Sequence, residues 1–229
     1  MRSWYIWRRR TEHGRETAEK ELKLCLHPAA VLMLGLSLLI LIPGYPYTVS
    51  FFYVMLGLFF IAQGARENND VTFTLTLPVE RRAVVDGRFL LTLVLELCSL
   101  VLAGAMIALH NVIMSAPNPA GMEANIVLIG EGLFLFGVFN LIFYTGHFKD
   151  VSRIGVPFLI GSTVVFLLIT ADVILTYALP FWRDVLDTPD PQNIGAKLGF
   201  DAVCLGLFAV MTLVSLRMSR KRFEKLDIR

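Results

Sequence analysis

Four acidic side chains are set in apolar stretches of this 229-residue chain: Glu96, Glu131, Asp172 and Asp201. A carboxylate in hydrocarbon is costly unless it is paired or faces water, so each such acid is a functional-site hypothesis. Glu96 lies seven residues beyond Phe89, about 10 Å along a helix. Glu131, Asp172 and Asp201 fall toward the other ends of their stretches. Two readings follow. Together with Asn140, these acids line a path that favours a cationic or amphipathic substrate. Alternatively they hydrogen-bond between helices, or sit at the headgroups, and only hold the bundle together.

Other chemistry is sparse. There is no GxxxxGK(S/T) phosphate loop, which excludes the usual way of binding and hydrolysing ATP, and no HExxH, paired CxxC or GxSxG. His13, His27, His110 and His147 are scattered over different segments, so no metal site is expected. Cys25, Cys98 and Cys204 lack ligand-like spacing and read as small buried hydrophobes. The chain is expected to bind no cofactor of its own.

The most distinctive polar segment holds Glu67 and Asp70, then Leu77-Pro78-Val79-Glu80-Arg81-Arg82. Pro78 suits the first turn of a helix, where its missing N–H is not needed. Glu80 in that turn would meet the positive end of the helix dipole. The spacing predicts a short, stiff helix that exposes Arg81 and Arg82. An ordinary charged loop that only sets topology fits the same residues.

These groups are carried by a chain that is 55% hydrophobic and 17% charged, against about 45–50% and 25% in soluble domains. Six apolar spans are predicted over 29–42, 48–65, 89–109, 125–144, 155–179 and 197–216, each helical because backbone polar groups in lipid must pair internally. The segments before the first span, between the second and third, between the fourth and fifth, and after the sixth hold 7, 4, 2 and 6 Lys or Arg, or 19 of 21. That alternation predicts both ends in the cytoplasm. Hence the expected fold is an all-α membrane protein, a bundle of six transmembrane helices. Three parts are expected: a basic amphipathic segment over 1–28, a membrane domain over 29–217 and a basic tail over 218–229. No signal peptide is expected in the first part. Leu22, Cys25 and Leu26 share one side of a helix over 16–27, suited to the inner membrane surface; the alternative is a solvated tail. Gly195 and Gly199, four apart, would permit close helix approach at the start of the sixth span.

The run ENNDVTFTLTLPVERRAVVDGRFL resembles the first inner loop of small six-span permeases of the type-2 ABC (ATP-binding cassette) exporter family, matching at Glu67, Leu77, Pro78, Val79, Arg81 and Val84. The run FNLIFYTGHFKDVSRIG is similar to that family's second inner loop at Gly146, Lys149 and Arg153, and departs from it at Asn140 and Thr145. The resemblance implies a non-enzymatic transmembrane subunit of the bacterial cell membrane that moves peptides, antibiotics or other amphipathic compounds outward. It implies a separate cytoplasmic ATPase carrying ATP and Mg, docked on the two loops and the N-terminal helix. A second permease, either another copy or a relative, is implied because six spans are half of the usual twelve. The rival functions are a membrane-embedded enzyme, which would need a cluster of His, Asp, Glu or Ser at one depth, and a sensory or structural subunit.

Overall fold

The computed structural model describes residues 28–42, 44–76, 80–113, 118, 120 and 122–226. Among them every regular element is helical: α1 (Pro28–Gly35), a 3₁₀ segment (Leu36–Leu41), α2 (Val49–Glu67), α3 (Asp70–Thr76), α4 (Arg81–Ile113), α5 (Val127–His147), α6 (Gly155–Ala178), a π turn (Trp182–Leu186) and α7 (Ile194–Glu224). The expected helix over 16–27 and the loop residues Leu77, Pro78 and Val79 lie outside the described residues.

Five helices, α2, α4, α5, α6 and α7, are long and apolar enough to cross a bilayer. The first predicted span is shorter. Eight α-helical and six 3₁₀ residues rise about 24 Å, less than the roughly 30 Å of a hydrocarbon core. Its described part begins beside the middle of α2, where Ala30 lies against Gly57, and ends where His110 Nδ1 meets the Ile40 carbonyl at 3.1 Å.

Two elements run longer than expected. The helix that carries Arg81 and Arg82 does not stop before the third span; it is the start of α4, which is 33 residues long. The separate short helix of this region is instead α3, whose first residue is Asp70. Similarly, α7 continues through the basic residues to Glu224.

The hub is α5, which packs most extensively against α7 and next against α6. Its sequence explains the role. Phe136, Phe139 and Phe143 are fully buried, while glycines let neighbouring backbones approach. A Cβ on Gly137 would lie 3.1 Å from the Phe208 Cα, and one on Gly132 would strike the Phe51 ring. This corrects the expectation for Gly195 and Gly199: within the chain both face open space, and the close-approach glycines are on α5. By contrast, α6 and α7 turn Leu159, Leu167, Leu205 and Leu213 outward. Cys98 is likewise exposed, contrary to expectation, whereas Cys204 is buried.

Candidate functional site

The chain alternates direction, so the helix termini gather at two ends. One end collects the C-termini of α2, α5 and α7 with the N-termini of α4 and α6 and is rich in arginine; the other carries the acidic 180–193 connection.

Toward the acidic end, α5 places Glu131 about one turn from its start and α6 places Asp172 about two turns from its end. Both line a cavity of about 250 Å³ between α5, α6 and α7, walled mainly by Phe134, Leu168, Leu175, Trp182, Phe200 and Leu207. Glu131 is 7% exposed, and apart from the Asp172 carboxyl its oxygens meet no hydrogen-bonding group among the described residues. Its polar neighbour is another acid, Asp172, which also faces the Trp182 indole. Asp201, on α7, leans onto the backbone of Gly130, where even a methyl group would collide with it. The glycine and the acid are therefore one packing decision.

The other two predicted path residues meet elsewhere. Glu96 of α4 and Asn140 of α5 face each other in the packed core, both at most 1% exposed, and do not line that cavity. The Ser215 hydroxyl donates to the Asn140 carbonyl at 2.6 Å, tying α7 into the same layer.

The acidic end is closed by residues that hydropathy alone did not single out. Asn125 donates to the Leu186 carbonyl at 2.8 Å and to that of Thr188 at 3.2 Å. Asp190 accepts from Ile126 N–H, at the start of α5, at 2.9 Å and pairs with Lys197, whose side chain is 0% exposed. Lys197 also donates to the Thr188 carbonyl. Asp187 accepts from Glu123 N–H at 2.7 Å. Burial pushes the Asp187 carboxyl up to about 6; the bond from Glu123 N–H opposes this, and the nearby Glu123 and Asp172 charges add to it. The hints in the sequence were the acids Asp184, Asp187 and Asp190 gathered in one segment over 180–196, and the two cations, Arg183 and Lys197, that lie outside the four basic segments.

The predicted loop residues collect at the basic end. Asp70 pairs with the buried Arg88 at 3.2 Å. Arg81 donates to the Leu226 carbonyl at 2.7 Å and Arg82 pairs with Glu224, so the start of α4 is strapped to the end of α7. Arg220 and Asp86 add a 2.6 Å pair between the same helices, and Arg222 donates to the Thr145 carbonyl. Arg66 reaches the Ser152 carbonyl at 3.2 Å, joining α2 to the connection before α6. Glu67 accepts from Gln63 at 3.0 Å, and Lys149 and Arg153 are exposed. Hydrogen bonds from Ser152 hold the Asp150 carboxyl below its usual range. Gly146 is packed under Pro157. A second cavity, of about 320 Å³, lies here between Arg66, Arg88, His147 and Ser152.

Among the described residues no three His, Cys, Asp or Glu side chains converge as for a metal ion. A sequence model of the family described as "ABC-2 family transporter protein" matches residues 19–221. No curated protein and no solved structure matches the chain.

Proposed function

The chain belongs to the ABC-2 family of transporter proteins, and from that membership we propose that it is the permease subunit of an ATP-driven exporter in a bacterial cytoplasmic membrane. The family match over residues 19–221 carries this reading. A separate ATPase subunit binds ATP and Mg²⁺ and hydrolyses the nucleotide. A second permease, another copy or a relative, completes the assembly.

In this reading the basic end is cytoplasmic. The first apolar segment completes six crossings, because only an even number puts the basic first segment and the basic C-terminal residues on the same side, as 19 of 21 Lys and Arg require. The ATPase docks on the segment from Glu67 through Asp70, Leu77, Pro78, Val79, Arg81 and Arg82, and on Gly146, Lys149 and Arg153. The cross-helix contacts at this end support that role. A push on Arg81 or Arg82 is delivered to α7 through Leu226 and Glu224, and a push beside Arg66 is delivered to the start of α6 through Ser152. Nucleotide-driven closure of the ATPase then rocks the helices and moves an amphipathic cargo outward.

The test is purification of the full chain in mild detergent. An ATPase that carries a phosphate loop is expected to accompany it, and to be lost when Glu67 and Arg81 are changed to Gln and Ala. Isolation of the chain without any such ATPase, at native expression, would overturn the reading.

A further inference from the structure

Glu131 is not accounted for by the packing of the bundle. It is nine-tenths buried, meets no hydrogen-bonding group among the described residues other than the Asp172 carboxyl, and lines the cavity between α5, α6 and α7. Burying a carboxylate without a cationic partner is expensive, and the group beside it, Asp172, is a second acid rather than a cation. The cations of this end are committed elsewhere: Lys197 to Thr188 and Asp190, and Arg183 to Asp184 on the surface.

The rest of the wall is apolar and aromatic. It offers a ligand burial of hydrocarbon, and Trp182 adds an indole face of the kind that attracts cations. A hard metal ion suits it poorly, since such ions take six or more oxygen ligands and no third ligating side chain joins the pair among the described residues. Two of its lining residues, Val203 and Leu207 of α7, are also exposed on the apolar outer face of the bundle. The cavity is therefore reachable from the plane of the bilayer.

We propose that this cavity binds an amphipathic organic cation, an ammonium group on an apolar body, with Glu131 and Asp172 as its counter-charge and Trp182 against its face. The proposal deepens the transporter reading above and rests on it for the ligand's role as cargo. A soluble amine and an amine-headed lipid share this chemistry.

The experiment uses the purified full chain in nanodiscs of phosphatidylglycerol, with benzyltrimethylammonium as probe and calorimetric titration as the readout. Saturable binding of the cation is expected, with none of benzenesulfonate, an anion with a similar apolar body; this arm needs no variant. Glu131→Gln and Asp172→Asn are each expected to weaken binding at least tenfold. Asp184→Asn, which removes a surface acid from the same end, should leave it unchanged. If added phosphatidylethanolamine competes with the probe, the occupant is a lipid amine; if it does not, the occupant is a soluble cation; either result supports a cation site. Equal binding of the sulfonate, or unchanged affinity in a folded Glu131→Gln protein, overturns the proposal. The assay contains no ATPase. Lost binding in a chain that still co-purifies with its ATPase overturns only the cavity assignment, whereas intact binding without an ATPase partner overturns only the transporter reading.

Discussion

The two ends of the bundle are tied by different means. At the acidic end the ties are buried: Asn125 holds two carbonyls of the 180–193 connection, and Lys197 is fully covered where it meets Asp190. At the basic end Arg88–Asp70 is buried, but the ties between α4 and α7 are arginines in water: the Arg82–Glu224 side chains are 63% and 37% exposed, and those of Arg220–Asp86 are 37% and 42%. Exposed ion pairs are screened and contribute little, whereas a buried charge or amide that loses its partner costs several times more. The acidic end is thus clamped, while the α4–α7 ties of the basic end are cheap to rearrange.

The largest expected effect tests that clamp. Lys197→Met takes the cation from Asp190 and one of two donors from the Thr188 carbonyl, and should destabilise the chain by about 3 kcal/mol, read as a lower midpoint of thermal unfolding in detergent. Arg82→Ala, at the other end, should leave the midpoint unmoved; equal losses would erase the contrast. Next, Asn125→Ala removes its bond to the Leu186 carbonyl and one of the two donors of the Thr188 carbonyl, and should cost about 2 kcal/mol, with faster hydrogen exchange confined to 180–193. Exchange that quickens at the basic end instead would break the comparison.

The smallest effect is one of sign. Asp187 has its carboxyl raised to about 6, so the folded chain holds that proton longer than the unfolded one. Its contribution is complete below about pH 4 and is lost as the pH rises through 6. Half-exposure reduces it to about 1 kcal/mol. Asp150, at the basic end, is shifted downward, so its contribution is present at neutral pH and is lost only on acidification. Unfolding midpoints measured between pH 4 and 7 should therefore fall on the alkaline side and flatten in Asp187→Asn. A slope that survives Asp187→Asn would assign the titration to another group.

Much of the bundle can be read from the one-dimensional pattern because hydropathy and charge are one-dimensional properties. The long apolar runs from α2 onward match their helices closely, with α6 beginning at Gly155 as the run predicts. Boundaries fail where apolarity stops but helix propensity does not. Arg81 to Arg88 and Arg217 to Glu224 are polar and still helical, because the neighbouring helix end supplies partners for their charged side chains. The first segment was short already by count, and its described helical residues rise about 24 Å even though six of them wind as the more extended 3₁₀ helix.

The acids show the same division. Their presence in apolar stretches is visible in the residue order, but their grouping is not. Glu131 and Asp172 meet across 41 positions, while Glu96 turns to Asn140 in a different layer. Gly130 explains part of it: only the absence of a side chain there lets Asp201 and its helix come close. Residue order alone settled that this is a helical membrane chain whose basic segments alternate with segments almost free of Lys and Arg, because burial in lipid and the bias of charged loops act segment by segment. Which glycines bring helices together, which acids share a cavity and which charges clamp an end were decided only in three dimensions, because close approach and pairing depend on side chains that distant segments contribute.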